Sequence, residues 1–350
     1  MARDRVPQAS LSSEINTATS DFRSLHTELN KLITGRLPLA LPPFASDPKL
    51  YTTGLLHFAH IFLTFESLWT DLVPVDVPGT ASPPTSPLLS FLLVNPYAEP
   101  ELFTSPPSPQ ILEFLQDLRP KGMARSSRIK KDLQYLSGLH PTDFDVMLAQ
   151  YPGEKVAAFC AHIRRSVGHK PHVLVAYAWC FYMAVFSGGR WIRGELVKAG
   201  PNFWSSGVET GFQKTVAPLA DKGLSLWSFS GRRDGEDIKE AFKERLLAAE
   251  SLFTPDERVD VIEEAKTIFE LCAGLVHELD EKLGTDFEQM KRVKIASPHG
   301  HQPQRKDDKS VVVTSKGSQA ARTWLQRPEV TGAAVALGCL ACAVVLRLSL

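Results

Sequence analysis

The chain has 350 residues, 43% of them apolar, which is enough to bury a full core in one large domain with appendages. Its 39 basic and 39 acidic residues cancel, so there is no global field to gather nucleic acid, and any electrostatic function must come from local clusters. The cysteines (Cys160, Cys180, Cys272, Cys339 and Cys342) are odd in number and show no CxxC…CxxC or CxxC…HxxxH arrangement, which suits a reducing compartment.

The first residues, MARDRVPQASLSSE, hold no apolar stretch of the secretory kind, so the body of the chain is expected to stay untranslocated. Helices are expected over 12–70, interrupted by the proline segment LPLALPPFASDP (37–48). In FRSLHTELNKLI, His26 sits beside Phe22, Leu25, Leu29, Leu32 and Ile33 at the border of an apolar face. A histidine there is either a hydrogen-bonded core residue or an axial ligand to haem iron. The next helix carries Leu55, Phe58, Phe62, Phe65 and Trp69 at helical spacing. It also holds His57 and His60, which read as packing or surface histidines, or else as a polar substitute or second ligand at a site.

Residues 73–109 are so rich in proline that no long helix crosses them, and they read as an insertion. Helical patterns resume at Ile111, with segments near 127–137, 142–150, 153–168 and 172–193. The last of these, within LVAYAWCFYMAVFSGGRWIRGEL (174–196), contains Ser187-Gly188-Gly189. A glycine costs about 1 kcal/mol relative to alanine inside a helix, so the pair either ends the helix or lets something approach its backbone closely. A looser region, rich in Gly, Ser and Trp, spans 200–235.

The clearest helix is 255–283. Thr254 and Glu257 form a capping box around Pro255, and Val259, Ile262, Phe269, Cys272, Val276, Leu279 and Leu283 mark an apolar stripe. Residues 286–327 lose periodicity and read as a flexible linker. Val330 to Leu346 is uncharged, so 328–347 is expected to be a transmembrane tail anchor. Arg322 and Arg327 on its N-terminal flank favour the cytoplasmic side, which directs the body to the cytosol. With no strand alternation of useful length, the fold class is all-α.

Three segments carry a family resemblance. LHTELNKLI resembles the proximal helix of haem oxygenases, LVAYAWCFYMAVFSGG their distal helix, and TPDERVDVIEEAKTIFELCAGLVHEL (254–279) their last core helix. They stand in the family's order, so residues 12–285 resemble a haem oxygenase-like multi-helical domain. The resemblance implies that His26 is the axial ligand to haem iron and that Ser187, Gly188 and Gly189 form the catalytic distal kink. It further implies that Arg23, Tyr182, Lys239 and Lys243 help to bind haem, with the basic residues on its propionates.

The implied activity is a monooxygenase that opens haem, both cofactor and substrate, to biliverdin with release of CO and Fe²⁺. The implied partners are O2, NADPH acting through NADPH-cytochrome P450 reductase, and the endoplasmic reticulum membrane. No Gly-rich dinucleotide fingerprint lies in the chain itself. One departure bears on catalysis: the family's distal Gly-Asp is Ala184-Val185 here, and valine cannot relay a proton. The distal arginine position is Phe181, and Trp179 replaces a tyrosine. The alternative is a haem-binding sensor or buffer that has lost the aspartate.

Overall fold

Proline, glycine and capping side chains set the helix boundaries in chain order. α1 (Leu11–Thr19) begins at Ser10, whose hydroxyl accepts the Ser13 N–H. α2 (Leu25–Arg36) gives way to a 3₁₀ turn at Leu37–Ala40, where Pro38 removes the donor that a further α-turn needs. α3 (Lys49–Leu72), α4 (Pro109–Leu118) and α5 (Ser126–Ser137) follow, the last closed by Gly138 at φ 64. Then come α6 (Pro141–Ala149), α7 (Glu154–His169), α8 (Leu174–Tyr177), a π-turn at Ala178–Tyr182, α9 (Met183–Phe186), α10 (Gly188–Lys198) and α11 (Gly200–Ser205). α12 (Glu236–Ala249) and α13 (Pro255–Leu283) complete the order.

This is a computed structural model, and it describes residues 9–20, 25–72, 109–205 and 219–285. Arg23, nearly all of the 73–109 insertion, the linker and the expected anchor at 328–347 lie outside the described residues. Among the described residues there is no strand, and no single helix is long and apolar enough to cross a membrane. Residues up to Glu281 form one compact unit; of the second, Lys282–Leu350, only 282–285 are described.

The core is built around α3, which packs on α5 and α7. Of its expected stripe, Leu55, Phe62, Phe65 and Trp69 are buried and Phe58 half-buried; Phe62 and Phe65 make ring contacts with Phe181, Tyr182 and Tyr177 of the segment after α7. The other side of α3 is buried as well, and His57 and His60 lie fully inside rather than at the surface.

α13 starts on the expected capping box. The Thr254 N–H donates to Glu257, and the Glu257 N–H donates back to the Thr254 hydroxyl at 3.2 Å. Its buried stripe differs from the one read from the sequence. Cys272 and Val276 of the expected stripe are buried and Ile262, Phe269 and Leu279 half-buried, but Val259 is 56% exposed and Leu283 is exposed, while Val261, Glu264, Ala265, Ile268 and Leu275 also face inward. The reason is Glu264, a polar residue on the buried face, which accepts hydrogen bonds from His162, Ser166 and Tyr177.

Two buried charges hold the loop at 219–235. The Asp132 carboxylate accepts the backbone N–H groups of Gly223, Ser225 and Leu226 at 2.7 to 3.0 Å. Arg125, fully buried, donates to the carbonyls of Gly122, Met123 and Ser228, and its guanidinium lies 4.1 Å from the Phe229 ring centre. Burial lowers the Arg125 pKa to about 10, so it stays charged at neutral pH.

Replacing Asp132 with alanine orphans three backbone donors and is expected to lower stability by about 3 kcal/mol, read from urea melts. A melt within about 0.5 kcal/mol of wild type would show that the loop does not depend on this clasp. A second expectation concerns acid. Burial, then His57 and Arg164, push the His60 pKa down to about 4, and neither ring nitrogen has a hydrogen-bond partner among the described residues. The unfolded chain takes up this proton below its ordinary pKa of about 6.5, the folded chain only near 4. Stability from a neutral His60 is therefore complete above pH 6.5 and falls by about 3 kcal/mol as pH drops to 4. Stability measured between pH 7 and 4 should lose most of that slope in His60→Leu, and an unchanged slope refutes the assignment.

Candidate functional site

The segment from Pro171 to Lys198 is one apolar helical run with two interruptions. The π-turn at Ala178–Tyr182 adds a residue to the helix, a device common at functional positions. At Ser187 the axis bends by 42° before α10 begins. The two glycines at this bend have different reasons to be there. A Cβ on Gly189 would lie 2.8 Å from the Trp227 ring, so only glycine lets that indole close on the backbone. A Cβ on Gly188 would meet nothing within 4 Å.

Helical spacing divides this segment into two faces. Cys180 is half-buried, Ala184 is exposed and Gly188 looks onto open space, so residues four apart line one face with small side chains. Phe181, Tyr182, Val185 and Phe186 turn inward. Val185, at the position of the resemblance's aspartate, is 3% exposed and belongs to the core. Tyr182 is buried too, and donates its hydroxyl to Glu66 at 2.8 Å; Glu66 also accepts the N–H groups of Arg125 and Ser126 at the start of α5. Burial, then the Glu66 charge, raise the Tyr182 pKa well above its usual value, so it stays a neutral donor within the core. Trp179 likewise donates to Asn16 of α1. Ser187 is half-buried at the bend, and its hydroxyl has no partner among the described residues.

His26 sits on α2, half-buried, with its ring edge-on to Phe269 of α13 at 5.7 Å between centres. Burial lowers its pKa, which keeps the imidazole neutral and its lone pair available at pH 7. α13 links this histidine to the open face. Cys272, three residues beyond Phe269, lies within electrostatic reach of Cys180, one turn before Ala184. Burial raises both thiols, so they remain protonated. Among the described residues no three His, Cys, Asp or Glu side chains converge to hold a metal ion. A single neutral histidine suits iron whose remaining in-plane ligands come from a macrocycle.

Of the expected basic residues, Arg23 lies outside the described residues. Lys239 is bound to Glu236 at 2.9 Å, and Lys243, one turn along α12, is half-buried with no ion pair among the described residues. Sequence reasoning missed Trp227, Arg190, Arg193, Asp234 and Glu236. Arg193 makes a bidentate pair with Asp234, and Arg190 reaches Glu236 at 2.9 Å, tying α10 to the start of α12. The nearest sequence signal was the run of opposite charges in RRDGEDIKE. A separate cleft of about 370 Å³ between α7 and α13 shares no residue with the open face, and its groups pair internally: His162 and Ser166 with Glu264, Lys170 with Asp260.

The Heme oxygenase family model matches residues 112–278. The chain is 24% identical over 279 residues to heme-binding protein HMX1 of Saccharomyces cerevisiae, which covers 77% of this chain and 75% of that protein. It is 27% identical over 159 residues to human heme oxygenase 1, covering 45% of this chain and 49% of the relative, about half that protein's length. The crystal structure of heme oxygenase-2 from Synechocystis sp. PCC 6803 in complex with heme and NO aligns with a TM-score of 0.55 at 13% identity, over 81% of this chain and 92% of that one. Heme oxygenase 2 from Chlamydomonas reinhardtii without heme aligns at 0.52 and 16%, over 77% and 98%. At these identities the structural likeness establishes a shared all-α fold.

The glycines give a paired test. Gly189→Ala is expected to cost about 1–3 kcal/mol by pushing on Trp227, whereas Gly188→Ala should stay within about 1 kcal/mol of wild type in thermal melts of the ligand-free protein. Equal losses at both positions would contradict the division into a packed and an open glycine.

Proposed function

We propose that this chain, which carries a heme oxygenase family domain, binds haem and opens it to biliverdin with release of CO and Fe²⁺. The carrying observation is the side-chain-free step at Gly188 and Ala184, joined through α13 to a neutral His26. A flat apolar ring needs such a step, because any larger side chain at Gly188 fills the space that it would occupy. Lys239 and Lys243 suit its propionates, and Arg23 is assigned there from the resemblance alone. Haem supplies redox-active iron and the carbon frame that is opened, O2 is the oxidant, and electrons come from NADPH through NADPH-cytochrome P450 reductase.

The chain's own groups divide the remaining work. His26 would hold the iron through its lone pair, with Phe269 edge-on beside its ring. Ala184 and Gly188 keep the distal side shallow, and Cys180 and Cys272 add only neutral thiols. Among the described residues Val185 is in the core and Tyr182 is committed to Glu66, so proton delivery is assigned to the Ser187 hydroxyl at the bend. We further propose that residues 328–347 anchor the body at the cytosolic face of the endoplasmic reticulum membrane, alongside the reductase.

Val185 in place of the family's distal aspartate favours a second reading, a haem-binding sensor or buffer without turnover. Distal polarity decides whether ferrous haem merely binds O2 or activates it. The purified full chain, titrated with hemin and then given reductase, NADPH and air, separates the two. Loss of the Soret band with biliverdin and CO is expected; a Soret band that persists through NADPH oxidation selects the buffer; no Soret shift on titration ends both readings. His26→Ala should abolish the histidine-ligated spectrum, and an unaltered spectrum removes it as the ligand. Deleting 328–350 should move the protein from the membrane fraction to the soluble one.

A further inference from the structure

Charge balances over the whole chain but not along α5. Residues 119–131, RPKGMARSSRIKK, hold six cations and no carboxylate. Packing accounts for three of them: Arg125 is fully buried, Arg119 lies over the Trp69 ring at 5.2 Å, and Lys130 is half-buried within electrostatic reach of Asp145 on α6. Arg128 and Lys131, three apart on one side of the helix, border the loop at 219–235. The Arg128 guanidinium reaches the Ser230 hydroxyl at 3.4 Å, and Arg232 follows two residues later. Gly223 donates to Asp132 at 2.8 Å and lies against the Tyr135 ring, one turn past Lys131, which brings Lys222 alongside. Lys131, Lys222 and Arg232 are exposed, and none of these four cations has an ion pair among the described residues. The carboxylates of α5 and the loop are Asp132, turned inward to backbone N–H groups, Asp234, paired with Arg193, and Asp221, exposed beside Lys222. Four cations therefore share one surface carboxylate.

We propose that this side of α5, with Lys222 and Arg232 of the adjoining loop, is a docking surface for anionic lipid headgroups. The inference is independent of the haem reading and takes its occupant from the anchor proposed at 328–347. Two features favour a lipid surface. The cations come from a helix side and a loop, so they present spread charge rather than a pocket, and a layer of phosphates and carboxylates is its complement. Each cation held close to such a layer is worth about fivefold in affinity. The chain also continues beyond α13 to seventeen uncharged residues, 330–346, near the shortest run that spans a bilayer. One short span fixes the distance of the body from the membrane but not its orientation, and a charged face supplies the second contact that does.

The test is acetylation footprinting of the full chain, read by mass spectrometry as the reaction rate of each lysine. The protein is added to phosphatidylcholine vesicles with and without phosphatidylserine, and Lys198 of α10, which is exposed and outside the patch, serves as reference. Lys131 and Lys222 are expected to react about fivefold more slowly when phosphatidylserine is present. They should recover in about 1 M salt, where the screening length falls to about 3 Å. Arg232→Gln removes a cation that holds nothing in the fold and is expected to weaken the protection; adding Arg128→Gln should remove most of it. Equal rates in the two kinds of vesicle overturn the inference, as does protection that survives both substitutions. Protection by the reductase in lipid-free detergent, without any by phosphatidylserine, overturns it in favour of an acidic protein partner. Flotation with phosphatidylcholine alone reports on the anchor separately, so either reading can fail without the other.

Discussion

The contact on which the rest of the site depends is the Trp227 indole against the backbone of Gly189. Its ring occupies the place of a Cβ, so the helix that began at Leu174 cannot continue straight with an ordinary side chain there. Trp227 is itself held in place: its Nε1 donates to Tyr51 of α3 at 2.9 Å, and its loop hangs from Asp132 and Arg125 of the α5 region. The bend at Ser187 is thus set by buried charges some distance along the chain. Gly188 faces open space because its neighbour is clamped from the other side.

The buried polar groups follow a common pattern. Glu66, Asp132 and Glu264 each accept two or more hydrogen bonds from elements distant in sequence, and each leaves its carboxylate spent on structure. A buried carboxylate is tolerated only when its oxygens are satisfied in this way. The cost is chemical, since none of the three remains available as an acid at the open face. That face is lined by Cys180, Ala184 and Gly188, with the half-buried Ser187 beside them at the bend.

Much of the helical layout was legible in residue order. The capping box at Thr254, the proline break after Arg36, the apolar stripe of α3 and the glycine interruption at 188–189 all act within a few residues, and each is found where local chemistry puts it. The stripe of α13 was misread at its Val259 and Leu283 ends because hydrophobicity was taken as the sole mark of an inward face. Glu264 is inward and Val259 outward, an inversion possible only because His162, Ser166 and Tyr177 arrive from two other elements to satisfy the carboxylate. His57 and His60 read equally as packing or surface histidines, and their complete burial depends on elements distant in sequence and has no local signature.

From the sequence alone follow an all-α chain, a histidine at the border of an apolar face, and a glycine pair that needs an explanation, since helix propensity and capping are short-range. Tertiary structure alone decided which glycine is packed and which is open, that Val185 and Tyr182 turn inward, and that Arg190 and Glu236 join Lys239 beside the bend. Those facts depend on which side chains arrive from residues far along the chain, and no local pattern encodes the arrival of Trp227 at Gly189.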